Sequence, residues 1–128
     1  MTAGGAQILV VDDDASVRTL IELALRRQGH EALLAVDADA ALAIASDRGQ
    51  AIDLLVTDYT MPGRSGLQLA IDVRALRPDL AIILMSGWRM DQPPTGVPGP
   101  AIEVLEKPFD LTGLARAVQR ALRLRAGP

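Results

Sequence analysis

The chain has 128 residues, with 13 Lys and Arg against 16 Asp and Glu, so its formal net charge is −3 at pH 7. This length is typical of one domain, and we expect a single domain over residues 1–128 with its core at about 7–125. The acidic balance argues against nucleic acid as a partner. The absence of cysteine excludes disulfides and thiolate sites and suits a reducing compartment, so the cytoplasm is the expected location. No apolar run reaches the roughly 18 residues of a membrane span.

Five short apolar runs have the length of β-strands. At least three of them are continuously apolar rather than alternating, which is typical of strands covered on both faces in a parallel sheet. Aromatic residues are only 2% of the chain, so the core must be built from Ala, Leu, Ile and Val. The predicted strands are 7–11, 32–36, 54–57, 80–85 and 101–105.

Helical patterns separate most of these runs. Asp14 or Ser16 can cap the first helix, and Gly29 is suited to end it. Pro78 ends the third helix, because proline cannot continue the helical hydrogen bonds. The predicted later helices are 38–48, 66–77 and one that starts near Leu111. Alternating strands and helices predict an α/β fold, with a parallel sheet and helices on both of its faces.

Polar residues end four of the five predicted strands. They are Asp12, Asp13 and Asp14 after the first strand, Asp58 after the third, Ser86 after the fourth and Lys107 after the fifth. The carboxyl ends of parallel strands meet at one edge of a sheet, so these groups are expected to converge. Carboxylates within about 6 Å of one another need a cation to stay ionised at neutral pH, and oxygen ligands favour Mg²⁺. Carboxylates, Mg²⁺, a hydroxyl and an ammonium together suit phosphoryl transfer.

Four segments carry a resemblance to a known family. In chain order they are ILVVDDD, LLVTDYTMPGRSG, ILMSG and LEKPF. They resemble the receiver domain of bacterial two-component response regulators. The resemblance implies a flavodoxin-like (βα)₅ fold, doubly wound, with five parallel strands in the order 2-1-3-4-5. It also implies that Asp58 accepts a phosphoryl group from a phosphohistidine on a sensor histidine kinase or a histidine phosphotransfer protein, and loses it by self-catalysed hydrolysis.

The resemblance also assigns roles within the site. Mg²⁺, or Mn²⁺ in its place, would be held by Asp13, by Asp58 and by the backbone carbonyl of Thr60, with Asp12 acting mainly through water. Ser86 and Lys107 would bind the oxygens of the incoming phosphoryl group. The bond between Lys107 and Pro108 would be cis, a geometry that proline makes accessible.

Two other classes of protein deserve comparison. A pseudo-receiver, which binds proteins without being phosphorylated, has the same fold, but the complete set Asp12, Asp13, Asp58, Ser86 and Lys107 argues against it. A flavin- or nucleotide-binding enzyme would need a phosphate-binding loop after the first strand, and neither GxGxxG nor GxxxxGK is present. We therefore expect a signalling domain with its own phosphotransfer chemistry, not a metabolic enzyme, and no output domain. Asp14 alone is better explained as a helix cap than as a ligand.

The sequence departs from the family at two places. Receivers commonly carry an aromatic residue three positions before the lysine, where this chain has Val104. The stretch 93–100, in the place of the fourth helix, has Pro or Gly at six of its eight positions, so that helix is expected to be short or missing. Many receivers dimerise through the fourth helix, fifth strand and last helix. We therefore expect a monomer, similar to the receivers of hybrid sensor kinases and acting in a phosphorelay or on a kinase.

Two features on the surface have simpler explanations. Arg116, Arg120 and Arg123 lie late in the last predicted helix, where cations complement the helix dipole, so they indicate a solvated face rather than a nucleic-acid site. Trp88 follows Ser86 by two residues, at the mouth of the predicted site. It is equally suited to gate access to that site and to cover apolar surface.

Overall fold

Five parallel strands form one sheet in the computed structural model, which describes residues 5–90, 94 and 96–126. The strand order is β2-β1-β3-β4-β5, as the resemblance implied. The elements in chain order are β1 (Gln7–Val11), α1 (Ala15–Arg27), β2 (Glu31–Ala35), α2 (Ala38–Ser46), β3 (Leu54–Asp58), α3 (Gly66–Leu76), β4 (Ala81–Ser86), β5 (Glu103–Glu106) and α4 (Leu111–Ala126). The flavodoxin-like α/β fold is confirmed.

Alternate residues of each strand pack against opposite layers of helices. In β1, Ile8 and Val10 lie in the cluster formed with α1 and α4, whereas Leu9 and Val11 lie in the cluster formed with α2 and α3. This alternation follows from the two-residue repeat of a strand. All four side chains are fully buried, which explains why the central strands are continuously apolar in the sequence.

The ends of α1 are as predicted. Asp14 is the N-cap, and its side chain accepts from the amide of Ser16 at 2.8 Å and from that of Val17 at 3.4 Å. Gly29 follows the helix with a φ of +87°, a conformation that glycine adopts without a steric penalty. The cap explanation of Asp14 is thereby confirmed.

Helix α2 is shorter than predicted, because Arg77 binds the chain that follows it. Its guanidinium donates to the carbonyls of Ala45 at 3.1 Å, Asp47 at 2.9 Å and Gln50 at 2.7 Å. The helix therefore ends at Ser46 instead of continuing to residue 48. Arg77 lies 27 to 32 positions after these carbonyls in the sequence, so no local pattern could have predicted the bonds.

The connection from β4 to β5 contains no helix among its described residues, 87–90, 94 and 96–102. Arg74 of α3, only 2% exposed, holds this connection by donating to the carbonyl of Pro98 at 2.6 Å, and it also donates to the carbonyl of Leu80, just before β4, at 2.7 Å. Val97 packs against the same core cluster as α2 and α3. The expectation of a missing fourth helix holds for the described part, while Pro93 and Thr95 lie outside it.

Helix α4 presents its arginines to solvent. Arg120 forms an ion pair with Glu103 of β5 at 2.9 Å, and Arg116 and Arg123 are exposed. Among the helices of the described residues, none is long and apolar enough to cross a membrane.

A buried acceptor on His30 makes the stability of the fold depend on pH. The Nδ1 atom of His30 accepts from the amide of Ala6 at 2.9 Å, and partial burial lowers the pKa of His30 below its ordinary value. The folded chain therefore binds fewer protons here than the unfolded chain. The stabilisation is complete above the unfolded pKa of about 6.5 and is lost as the pH falls toward the lower folded pKa.

We expect the free energy of unfolding to fall more between about pH 7.5 and about pH 5.5 in the wild type than in His30→Asn. Asparagine keeps an acceptor near the position of Nδ1 but does not titrate. Urea unfolding at both pH values measures the difference, and the carboxylates shared by both proteins cancel. Equal losses in the two proteins would contradict this account.

Candidate phosphoacceptor site

Asp12 is the most tightly held residue at the carboxyl edge of the sheet. Its side chain is 1% exposed, and its Oδ1 accepts from the amide of Asp14 at 2.8 Å. Its Oδ2 lies 3.3 Å from Nζ of Lys107, and its own amide donates to the carbonyl of Ala35 at 3.4 Å. A buried carboxylate needs this many partners to offset its lost hydration.

Asp58 is the last residue of β3 and lies opposite Met85 of β4 in the parallel register. Its side chain is 14% exposed, and its Oδ1 lies 3.3 Å from Nζ of Lys107. A side chain from outside the domain can therefore reach this carboxylate. Lys107 follows β5 and is 27% exposed, so a single ammonium bridges the ends of β1 and β3.

Gly66, the first residue of α3, lies directly against the backbone of Asp58. A Cβ at this position would lie 2.1 Å from the carbonyl oxygen of Asp58 and 3.0 Å from Cα of Tyr59. The amide of Gly66 donates to the carbonyl of Tyr59 at 2.8 Å. The glycine is required here because helix and strand end approach too closely for any side chain.

Three carboxylates converge at this edge. One oxygen from each of Asp12, Asp13 and Asp58 lies within 4.8 Å of the others. Lys107 is the only cation that forms a salt bridge with Asp12 and Asp58 in the described part of the chain, so the cluster keeps an excess of negative charge. An all-oxygen donor set with this excess suits a small divalent cation such as Mg²⁺, which binds a few carboxylates and retains waters. The donor chemistry therefore fits the expected metal.

Asp58 and Lys107 each change the pKa of the other. Burial raises the pKa of Asp58, and the charge of Asp12 raises it further, while Lys107 and a backbone hydrogen bond from Thr60 act in the opposite direction. Burial alone would lower the pKa of Lys107, but the charges of Asp12 and Asp58 outweigh it and raise that pKa. Lys107 is therefore a firmly protonated ammonium at neutral pH.

The hydroxyl of Ser86 bonds to its own loop. It is fully buried, its Oγ donates to the carbonyl of Trp88 at 2.6 Å, and it accepts from the amide of Trp88 at 3.2 Å. Trp88 is 50% exposed and packs edge-on against Tyr59, with ring centroids 5.2 Å apart. Trp88 thus packs against the residue that follows Asp58, and a gating role for it stays a prediction.

The structure brings most of the predicted site residues together. Asp12, Asp13, Asp58 and Lys107 form one cluster, and the bond between Lys107 and Pro108 is cis, as expected. The hydroxyl of Ser86 points to Trp88, and the metal role of the Thr60 carbonyl stays a prediction. Sequence reasoning gave no role to Arg18, which donates to the carbonyl of Asp12 at 2.6 Å. The position of Arg18 one turn into α1 could have predicted this bond, because long side chains on a helix lean toward its N-terminus.

Known proteins are similar to this chain along nearly its whole length. A family model described as the response regulator receiver domain matches residues 8–119. The DNA-binding transcriptional regulator NtrC of Azospirillum brasilense is 40% identical over 124 residues, covering 96% of this chain and 25% of that protein. The chain thus spans about a quarter of the length of that relative.

Solved structures of receiver domains have the same fold as this chain. The receiver domain of the hybrid histidine kinase CckA is 33% identical, with a TM-score of 0.76 and coverage of 91% of this chain and 98% of that one. A response regulator receiver domain protein from Clostridium thermocellum is 26% identical, with a TM-score of 0.79 and coverage of 94% and 97%. The relatives therefore include receivers from both a DNA-binding regulator and a hybrid kinase.

A doubly wound sheet in the order 2-1-3-4-5, with an acidic cluster and a lysine at its carboxyl edge, defines a signalling domain of the two-component type. The chain belongs to the response regulator receiver domain family. Domains of this family interact with histidine kinases or phosphotransfer proteins.

The close approach of Gly66 to Asp58 makes Gly66→Ala informative. We expect it to destabilise the fold by about 1–3 kcal/mol, because the strain exceeds the small gain in helix propensity. Urea unfolding measures the effect. Gly87→Ala is the matched control, since a Cβ there meets no heavy atom within 4 Å. Equal stability of the two variants would show that the backbone of Asp58 adjusts freely.

Proposed function

We propose that this domain accepts a phosphoryl group on Asp58 from a phosphohistidine and releases it by hydrolysis. The observation that carries the proposal is the position of Asp58, which is partly exposed at the sheet edge and bridged by Lys107 to the buried Asp12. A phosphoryl donor can reach a partly exposed carboxylate at this edge, and the neighbouring ammonium can bind the transferred phosphoryl group.

The reaction has two steps that share Asp58. An oxygen of the Asp58 carboxylate attacks phosphorus, the bond from phosphorus to the donor imidazole nitrogen breaks, and the imidazole leaves with the electron pair. Water later attacks the same phosphorus, the bond to the Asp58 oxygen breaks, and inorganic phosphate leaves with the carboxylate restored. Positioning and charge neutralisation supply most of the catalysis in such transfers.

Mg²⁺ would be held by Asp13, by Asp58 and by the backbone carbonyl of Thr60, with Asp12 acting through water. When bound, the ion neutralises the negative charges that approach each other in the transfer. The clustered oxygens of Asp12, Asp13 and Asp58 support this assignment. Mn²⁺ has compatible ligand preferences and serves as a probe of the same site.

Lys107 and Ser86 would bind the phosphoryl oxygens. The flexible stem of Lys107 allows its ammonium to move from the Asp58 carboxylate to the new phosphate. The hydroxyl of Ser86 has one proton, which it now donates to the carbonyl of Trp88. Donating instead to a phosphoryl oxygen requires that bond to break, so phosphorylation would rearrange the loop that carries Trp88.

An apolar cavity beside Lys107 offers a surface for the protein that carries the phosphohistidine. It measures about 370 Å³ and is lined by Val17, Leu20, Gly87, Lys107, Pro108 and Phe109. Leu20 is 46% exposed there, although it is a large apolar residue. A helical phosphotransfer protein or sensor kinase could bury this surface while presenting its histidine to Asp58. Such donors are phosphorylated from ATP, so the cytoplasm remains the proposed location.

Fluorescence of Trp88 tests the central proposal, because it is the only tryptophan and lies against Tyr59. We expect a saturable response to beryllofluoride, a phosphoryl mimic, that requires Mg²⁺ and is absent in Asp58→Asn. Ser86→Ala should bind the mimic with a smaller response, because the link to Trp88 is cut. No response in the wild type, with no adduct in intact-mass analysis after acetyl phosphate, would favour a phosphorylation-independent binding module.

The connection held by Arg74 argues for signalling without dimerisation through the surface of the fourth helix, fifth strand and last helix. That connection is pinned to α3 at Pro98 and has no helix in its described part. The proposed output is therefore a phosphorelay or regulation of a kinase.

We expect the domain to remain a monomer with and without beryllofluoride and Mg²⁺. Size-exclusion chromatography with light scattering measures this directly, and Asp58→Asn is the unphosphorylatable control. A dimer that forms only in the wild type with the mimic would overturn the monomer proposal and leave the phosphoacceptor chemistry intact.

A further inference from the structure

Arg18 turns its side chain back from α1 to the acidic loop. It is the fourth residue of the helix, and its Nη1 donates to the backbone carbonyl of Asp12 at 2.6 Å. The donor is a charged group and the distance is short, which places this bond among the stronger hydrogen bonds of proteins. Arg18 itself is half-buried, so the bond is partly shielded from water.

The carbonyl of Asp12 belongs to the peptide that joins Asp12 to Asp13. The amide and both carboxylate oxygens of Asp12 have other partners, namely Ala35, Asp14 and Lys107. The carbonyl accepts from Arg18, so Arg18 fixes the plane of the next peptide. That plane sets the direction in which the Asp13 side chain leaves the backbone.

Asp13 depends on this peptide for its orientation. It is exposed, and within residues 5–90, 94 and 96–126 its carboxylate has no hydrogen-bond or ion-pair partner, yet one of its oxygens lies in the cluster with Asp12 and Asp58. A side chain without partners is ordered by its backbone alone. Disorder of that backbone would scatter the third carboxylate of the cluster.

We propose that Arg18 is a positioning residue of the metal site, which holds the peptide between Asp12 and Asp13 and thereby aims the Asp13 carboxylate at the ion. The inference rests on the proposed function, because it assumes that this cluster binds a divalent cation. Groups that orient metal ligands without touching the metal commonly contribute a large part of the affinity.

The charge of Arg18 and its positioning role predict opposite effects on metal affinity when the side chain is removed. The positive guanidinium repels a cation, so its charge alone weakens metal binding, and removing that charge would tighten binding. The positioning role predicts the reverse, since removal of the side chain frees the peptide. Weaker metal binding on removal of Arg18 therefore indicates positioning, and tighter binding indicates that only the charge matters.

Electron paramagnetic resonance of free Mn²⁺ tests the inference on the full chain, since the signal of the aqueous ion is lost on binding. We expect Arg18→Met to weaken Mn²⁺ binding roughly tenfold. Arg18→Lys keeps the repulsive charge, but its shorter side chain does not reach the carbonyl, so a loss at least as large as that of Arg18→Met is expected. Arg27→Met removes the same charge from an exposed position at the far end of α1 and should leave the affinity unchanged.

Each outcome decides between the possibilities. Wild-type affinity or tighter binding in Arg18→Met, with circular dichroism showing a folded protein, overturns the positioning role. If Arg18→Met does not fold, Arg18→Lys decides, and unchanged affinity there overturns the role as well. No Mn²⁺ binding by the wild type would overturn the metal site of the proposed function, and the role of Arg18 with it.

Discussion

The attraction of one ammonium for two carboxylates organises the carboxyl edge of this sheet. Lys107 lies 3.3 Å from both Asp12 and Asp58, and thereby ties the end of β5 to the ends of β1 and β3. Assembling three carboxylates at one place opposes folding through repulsion and lost hydration. The two apolar layers around the sheet supply the free energy that offsets this cost, and the excess negative charge suits the cation of the proposed function.

Backbone contacts position the charged groups. Gly66 allows α3 to approach the backbone of Asp58, and Arg18 binds the carbonyl of Asp12. The hydroxyl of Ser86 bonds to the backbone of Trp88, in the loop after β4. Under the proposed function, a new phosphate would rearrange this loop while the sheet stays fixed.

The segment between β4 and β5 distinguishes this receiver from the family pattern. Val104 of β5 also stands where the family usually has an aromatic residue, and the ring contact of this region is between Tyr59 and Trp88. Arg74 pins the proline-rich connection to α3 with a hydrogen bond to the carbonyl of Pro98. The surface beyond the loop next to Ser86 is thus held by a buried guanidinium.

The order of the elements and the parallel sheet can be predicted from the amino-acid sequence, because continuously apolar runs and the glycines and prolines between them are local signals. The same signals locate the four strand ends that carry Asp12, Asp58, Ser86 and Lys107. It could not predict where α2 ends, since Arg77 reaches it from a distant position. Only the tertiary structure decided that Ser86 bonds to Trp88 and that Arg18 holds Asp12. These contacts depend on the directions of side chains at the ends of packed elements, which composition and spacing do not encode.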